Sequence, residues 1–272
     1  MLRKKSHTDE TKPLTINNFL IVFHEFLIAW LNSILYCNKI YDPLVFDEHK
    51  AFDLLFYKNR HPYLDKFITD LVLNIINNLI ISKKQPNGLQ RVSCAIYDTR
   101  NGVVKRSYAV NFSHFVMSLH ETITELRVDA EEIDASASLE VSGLFWSEIY
   151  AQFQSILFRH LQELKKRTTV AGTRHIDDEE EEETSMSKPG NQNEGEDDLF
   201  FQITVDLDSG IYPRNEDWVR LSSNDHDHDH DHDHDKSDDD DDDDSLSPTV
   251  KVLGNLSLSV LCFDLVNKYY ED

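Results

Sequence analysis

Between Asp225 and Asp235 the chain alternates aspartate with histidine, so His226, His228, His230, His232 and His234 fall at every second residue. Imidazole and carboxylate are good ligands for zinc or nickel, and alternate residues of an extended chain share a face. A specific metal centre also needs ordered neighbours that fix its geometry, and this run has none. It reads as a low-complexity surface loop whose five histidines are weak metal candidates. The aspartates of Asp238–Asp244 read as a solvated spacer, with the binding of basic tails as the alternative. Other possible chemistry fails on spacing. His24-Glu25 and His120-Glu121 begin the zinc-hydrolase pattern, but Ile28 and Thr124 stand where its second histidine belongs. The 8 glycines form no phosphate-cradling loop and no nucleophile elbow. His61 precedes Pro62 and reads as a helix-entry residue rather than a base. No residue is assigned as catalytic, no cofactor is expected, and an enzyme is not the expected class.

The net charge of −23 is local. Residues 177–198 hold 11 acids and one lysine, and residues 225–244 hold 13 aspartates and one lysine. Setting these aside leaves 26 acids and 25 bases of the 50 and 27 in the whole chain. The folding part is therefore close to neutral, and the charge sits in two insertions too poor in apolar groups to fold alone. The clusters Arg3-Lys4-Lys5 and Lys165-Lys166-Arg167 are short, and the second reads as a solvated helix end. Direct sequence-specific nucleic-acid binding is not expected. Cys37, Cys94 and Cys262 lie far apart among apolar residues, as buried free thiols do. The apolar window 16–36 contains His24, Glu25, Asn17, Asn18 and Asn32, which marks a buried amphipathic helix rather than a membrane span.

The elements that would position a site follow from periodicity. Apolar residues from Ile16 to Leu35 recur at i, i+3 and i+4, predicting a first helix over 15–38. Asp42-Pro43 stops it. Residues 44–58 read as a short hairpin around a polar Asp-Glu-His-Lys turn. A second helix starts at Pro62 and carries one apolar stripe from Leu64 to Ile80. Residues 90–98 and 103–112 flank Asn101-Gly102 and predict a hairpin. Residues 113–142 mix both patterns and predict no element. A third helix is expected over 143–167, and a strand over 199–208. Two closing strands, 250–253 and 256–266, are expected with Gly254-Asn255 between them. The fold class is α+β, with three main helices packed on a mainly antiparallel sheet. The domain reading is a disordered tail over 1–14 and one domain over 15–272. Disordered acidic insertions fall at about 168–198 and 222–248.

Trp218 stands apart, in the polar stretch Pro213-Arg214-Asn215-Glu216-Asp217. It reads either as packing onto its own core or as an anchor over a bound peptide. Three stretches carry a resemblance: ILYCNKIYDP (34–43), RHPYLDKFI (60–68), and the Trp218 segment followed by a C-terminal hairpin. In these, residues 15–167 and 199–270 resemble the HORMA-domain family, and within it the accessory subunits of translesion DNA polymerase zeta.

The resemblance implies a HORMA-like fold whose C-terminal segment, about 210–272, is a safety belt wrapped over a partner's peptide. It places Phe67 and Trp218 on that peptide, with Tyr63, Leu71 and Tyr36 beside them. It places a second partner surface near Phe263 and Leu265. The implied partners are the catalytic subunit of DNA polymerase zeta and the scaffold deoxycytidyl transferase of translesion synthesis, with a HORMA–HORMA dimer as a further contact. The implied compartment is the nucleus, with the cytoplasm second. Two departures stand out. Lys39 replaces an acid that supports peptide binding, and Gln154 replaces a basic residue that supports dimerisation. A spindle-checkpoint or meiotic-axis HORMA adaptor is the alternative function, and an acidic histone- or metal-binding protein the second.

Overall fold

The computed structural model describes residues 14–76, 89–111, 145–173, 199–207, 219, 248–258 and 261–270. Helix α1 spans Ile16–Cys37 and is capped by the Thr15 side chain, which accepts from the Asn18 amide at 3.2 Å. A 3-10 turn at Pro43–Val45 leads to the hairpin β1 (Phe46–Ala51) and β2 (Leu54–Asn59). Helix α2 (Pro62–Asn74) follows, with Pro62 at its first position. Strands β3 (Leu89–Asp98) and β4 (Val104–Asn111), helix α3 (Trp146–Thr173) and strands β5 (Leu199–Leu207), β6 (Thr249–Leu258) and β7 (Leu261–Tyr269) complete the described chain. Five of the strands form one antiparallel sheet in the order β5-β3-β4-β7-β6. The expected three helices on an antiparallel sheet are therefore present.

Helix α1 is long and apolar enough to cross a membrane by length and composition. Here it lies in the middle of the fold, with Phe23, Phe26, Trp30 and Ile34 fully buried. The rings of Phe23 and Phe26 meet Phe153 of α3 and Phe263 of β7 at centroid distances of 5.4–6.2 Å. One aromatic cluster thus ties α1, α3 and the C-terminal hairpin together.

The asparagines of α1 are structural. Asn32 donates to the Ile28 carbonyl, and its side-chain oxygen accepts from the Asn59 amide and side chain at 3.0 and 2.7 Å, joining α1 to β2. Asn38 accepts from Arg106 at 2.7 Å and from Tyr108 at 3.1 Å, joining the end of α1 to β4. Buried amides are retained because each leaves few bonding groups unmet.

Two sequence expectations need correction, and others fall outside the described residues. Asp47-Glu48-His49-Lys50 is not the turn of the first hairpin. Those residues form the outward side of β1, and the turn is Phe52-Asp53, both at positive φ (49° and 58°). Such turns favour Asn-Gly. Phe52 holds the position because its ring is buried against Tyr150 and Phe153, and Gln154 donates to its carbonyl at 2.9 Å. Gln154 thus braces this hairpin. Gly254-Asn255 does not separate the two closing strands: β6 runs through it to Leu258, with a register shift between Val252 and Gly254, and β7 begins at Leu261. A Cβ on Gly254 would sit 2.7 Å from the Arg159 guanidinium of α3, so the glycine admits that side chain across the strand. Finally, Asn74 is the last residue of regular helix in α2, and the expected stretch beyond 76 lies outside the described residues. The 113–142 region, the 1–14 tail short of Leu14, and residues 174–198 and 222–247 of the acidic insertions also lie outside them, whereas 168–173, expected as the start of the first insertion, continue α3.

His160 of α3 is fully buried between Trp30 and Tyr108, at ring distances of 6.3 and 6.1 Å. Burial, only partly offset by the Trp30 backbone, lowers its pKa to about 3. Below pH 6.5 the unfolded chain takes up a proton here that the folded chain refuses. The site therefore contributes no pH dependence above pH 6.5, and it reduces stability as pH falls from 6.5 toward 3, by at most about 1.4 kcal/mol per pH unit. His160→Leu is expected to flatten the unfolding free energy against pH across that window, as read by denaturant titrations at pH 7, 6, 5 and 4. An unchanged slope would contradict the burial argument.

Candidate functional site

Strand β5 lies at one edge of the sheet and pairs with β3 alone among the described residues. Its alternate residues Leu199, Phe201, Ile203, Val205 and Leu207 pack against the core but stay only partly buried, because nothing described lies beyond them. A long apolar strand with an open edge is a ready template for another chain, and proteins normally blunt or cover such edges. This one carries no proline or lysine.

Aromatic side chains converge at this edge. Phe67 of α2 meets Phe201 edge-on at 6.4 Å, and Tyr41, from the turn after α1, meets the same ring at 6.3 Å. Tyr63, Phe67 and Leu71 are spaced at i, i+4 and i+8, so they line one face of α2. Tyr63 is 82% exposed and Phe67 49%, whereas Leu71 is half-buried against the core. On the opposite face of β5, Phe200 stacks on Tyr97 at 4.9 Å. Among the described residues, the β5 edge is unpaired beside the exposed Phe67 ring, and an unpaired strand edge can accept an extended chain by main-chain bonds.

The residues expected at the site divide sharply. Phe67 reaches β5 through Phe201, while Tyr63 and Leu71 share its face of α2, Tyr63 beside His61 and Leu71 against the core. Tyr36 does not join the rings on Phe201: it stacks on Tyr57 at 4.0 Å and meets Phe46 edge-on, so it serves the β1–β2 hairpin. Burial and its bond to Tyr57 raise its pKa. Trp218 lies outside the described residues, as do the five histidines of the Asp-His run. Phe263 and Leu265 are both 0% exposed, in the core. Reading those two side chains as a second partner surface is corrected, because a partner cannot touch them without unpacking α1 and α3 from β7. Sequence reasoning missed Phe201 and Tyr41. Phe201 was visible as a core-facing residue of a strand, but only the topology shows that the strand is an edge. Lys39 is exposed at a positive φ of 53° after α1, two residues before Tyr41.

The C-terminal hairpin is held from α3 by a row of polar contacts. Gln152 exchanges two 3.2 Å bonds with the Ser257 backbone, Arg159 donates to the Leu253 carbonyl, and Glu163 bonds Lys251 at 2.7 Å. Burial would raise the Glu163 pKa, but Lys251 and the charges of Arg167 and Lys166 hold it below the usual carboxylate range.

No family model and no curated protein matches the chain. Solved structures do. C. elegans HTP-2 bound to an HTP-3 closure motif aligns at TM-score 0.54 and 9% identity, over 100% of this chain and 98% of that one. HTP-2 bound to a HIM-3 closure motif aligns at 0.52 and 7%, over 99% of each. A chain of the mitotic checkpoint complex aligns at 0.52 and 14%, over 93% of this chain and 98% of that one. At such identities the likeness is one of architecture, and the neighbours are HORMA proteins. With three helices on an antiparallel sheet that ends in a C-terminal hairpin, this chain has the HORMA fold.

Proposed function

We propose that the protein is a non-catalytic adaptor that grips an extended peptide of a partner protein along the open edge of β5. The observation that carries this reading is the apolar β5 edge, unpaired among the described residues, with the exposed Phe67 ring against Phe201. Topology supports a belt over that peptide. Strands β5 and β6 occupy opposite edges of the sheet, about 19 Å apart at ordinary strand spacing. The 41 residues of 208–248 join them and reach roughly 130 Å when extended. That slack is enough to pass around a peptide, and Trp218 lies within it as an anchor. Threading a belt requires local opening, so binding forms and releases slowly. The solved HTP-2 structures hold closure motifs of HIM-3 and HTP-3, which favours the same use here.

The finer assignment is the accessory subunit of DNA polymerase zeta, acting in translesion synthesis in the nucleus. It rests on the resemblance of residues 34–43 and 60–68, and it links the catalytic subunit to the scaffold deoxycytidyl transferase. With Phe263 and Leu265 buried, that second contact would use outward neighbours such as Val252 and Val266. A checkpoint or meiotic-axis adaptor is the second reading, favoured by the structural neighbours. Affinity purification of tagged wild type and Trp218→Ala from nuclear extract separates the two. The first reading expects a large B-family polymerase subunit with wild type and its loss with the variant. Recovery of checkpoint or axis proteins would replace it.

A further inference from the structure

The near-neutral folded part hides one strongly basic end. Arg167 of α3 lies over the Tyr269 ring at 4.1 Å, and Tyr269 is the strand partner of Arg106. The Tyr270 amide bonds the Lys105 carbonyl at 3.0 Å, and Lys268 pairs with Ser107 on the same two strands. Lys165 is close enough to Cys37 to act on its thiol, and Cys37 adjoins Asn38, which accepts from Arg106. Lys165 and Lys166 are exposed, in the turn of α3 that carries Arg167. Lys105, Arg106, Lys165, Lys166, Arg167 and Lys268 thus surround one end of the sheet. Among the described residues, Asp98 and Glu163 lie beside these cations. Both are engaged already, the first by Arg100 and the second by Lys251 and Arg167.

The first acidic insertion begins and ends at this same end. Helix α3 stops at Thr173, about 9 Å along its axis beyond Arg167. Strand β5 restarts at Leu199, paired with Asp98, where β3 turns toward β4. From β5 to β7 is three strand spacings, about 14 Å. The 25 residues of 174–198 span that distance several times over. They carry the 11 acids of 177–198.

We propose that the basic end formed by α3, β4 and β7 is the docking face of the chain's own acidic insertion, residues 177–198, which shields it from other polyanions. Tethering at both ends keeps the acids at high local concentration beside the lysines, so the contact needs no fixed geometry.

Carbodiimide coupling of carboxylates to amines in the full chain, read by mass spectrometry, tests this. Lys105 and Lys268 are distant in sequence from the insertion and so report on folding back. The expected result is coupling of 177–198 to these two lysines roughly tenfold above coupling to Lys50 and Lys58 of the first hairpin. It should vanish at about 1 M salt, where the screening length is about 3 Å. Equal coupling to all four lysines would overturn the proposal. So would coupling at Lys105 and Lys268 that comes from 225–244 or from Glu271 and Asp272. As a second arm, replacing every acid of 177–198 by its amide leaves the described fold untouched. That variant is expected to gain salt-sensitive retention on heparin, and unchanged retention would contradict the shielding.

Discussion

Phe67→Ala is expected to weaken binding of the partner peptide by about 10- to 100-fold while leaving the fold intact. Half of the Phe67 surface is exposed, and its main described ring contact is edge-on to Phe201. Truncation therefore removes little core packing, and the unfolding midpoint should move within the small range typical of surface changes. The same ring faces the strand edge where the peptide would lie, and burial of an aromatic anchor at an interface is worth about 1.4–2.8 kcal/mol, the stated fold-change. Tyr63→Ala, one helical turn earlier and more exposed still, should act in the same direction. Titration calorimetry beside thermal melts checks both. Unchanged affinity in both variants would remove the α2 face from the site.

Phe263→Ala is expected to do the reverse: a large loss of stability rather than a selective loss of one partner. Phe263 is fully buried among Phe23, Phe26 and Phe153, at 6.0, 5.5 and 6.1 Å. Removing such a ring costs about 3–5 kcal/mol, because transfer and cavity terms add. At about 2–4 °C per kcal/mol for a domain of this size, the midpoint should fall by roughly 10 °C. A normal melting point with loss of a second partner would restore Phe263 as a surface residue. Circular dichroism melts, with denaturant titrations where melting is irreversible, distinguish these outcomes.

The helices were legible because their stripes are long. Ten apolar positions from Ile16 to Leu35 admit only a helix, and Pro62 marks the next start. Asn101-Gly102 likewise announced its turn, and Gly102 takes φ 69°. The errors arose where a distant element decides the local form. Phe52 can occupy a turn at positive φ because Tyr150 and Phe153 receive its ring, and Gly254 sits inside a strand because Arg159 crosses there. Neither partner is adjacent in sequence. For Phe263 and Leu265 the local pattern was sound: Phe263, Leu265, Asn267 and Tyr269 alternate on one side of β7, all four buried. That alternation marks a core face, and the family resemblance pointed away from it. The site itself was half legible. Helix spacing shows that Tyr63, Phe67 and Leu71 share a face and the resemblance supplied their peptide role, but the edge beside Phe67 depends on strand order, which periodicity does not encode.

The central claim is that a partner peptide adds as a strand to β5. Hydrogen–deuterium exchange of the full chain, with and without a captured partner peptide, tests it most directly. The account predicts strong new protection of outward-facing amides within Leu199–Leu207, with little change in the interior strand β4. Protection confined to β6, or exchange in β5 unaltered by a peptide shown to be bound, would contradict it.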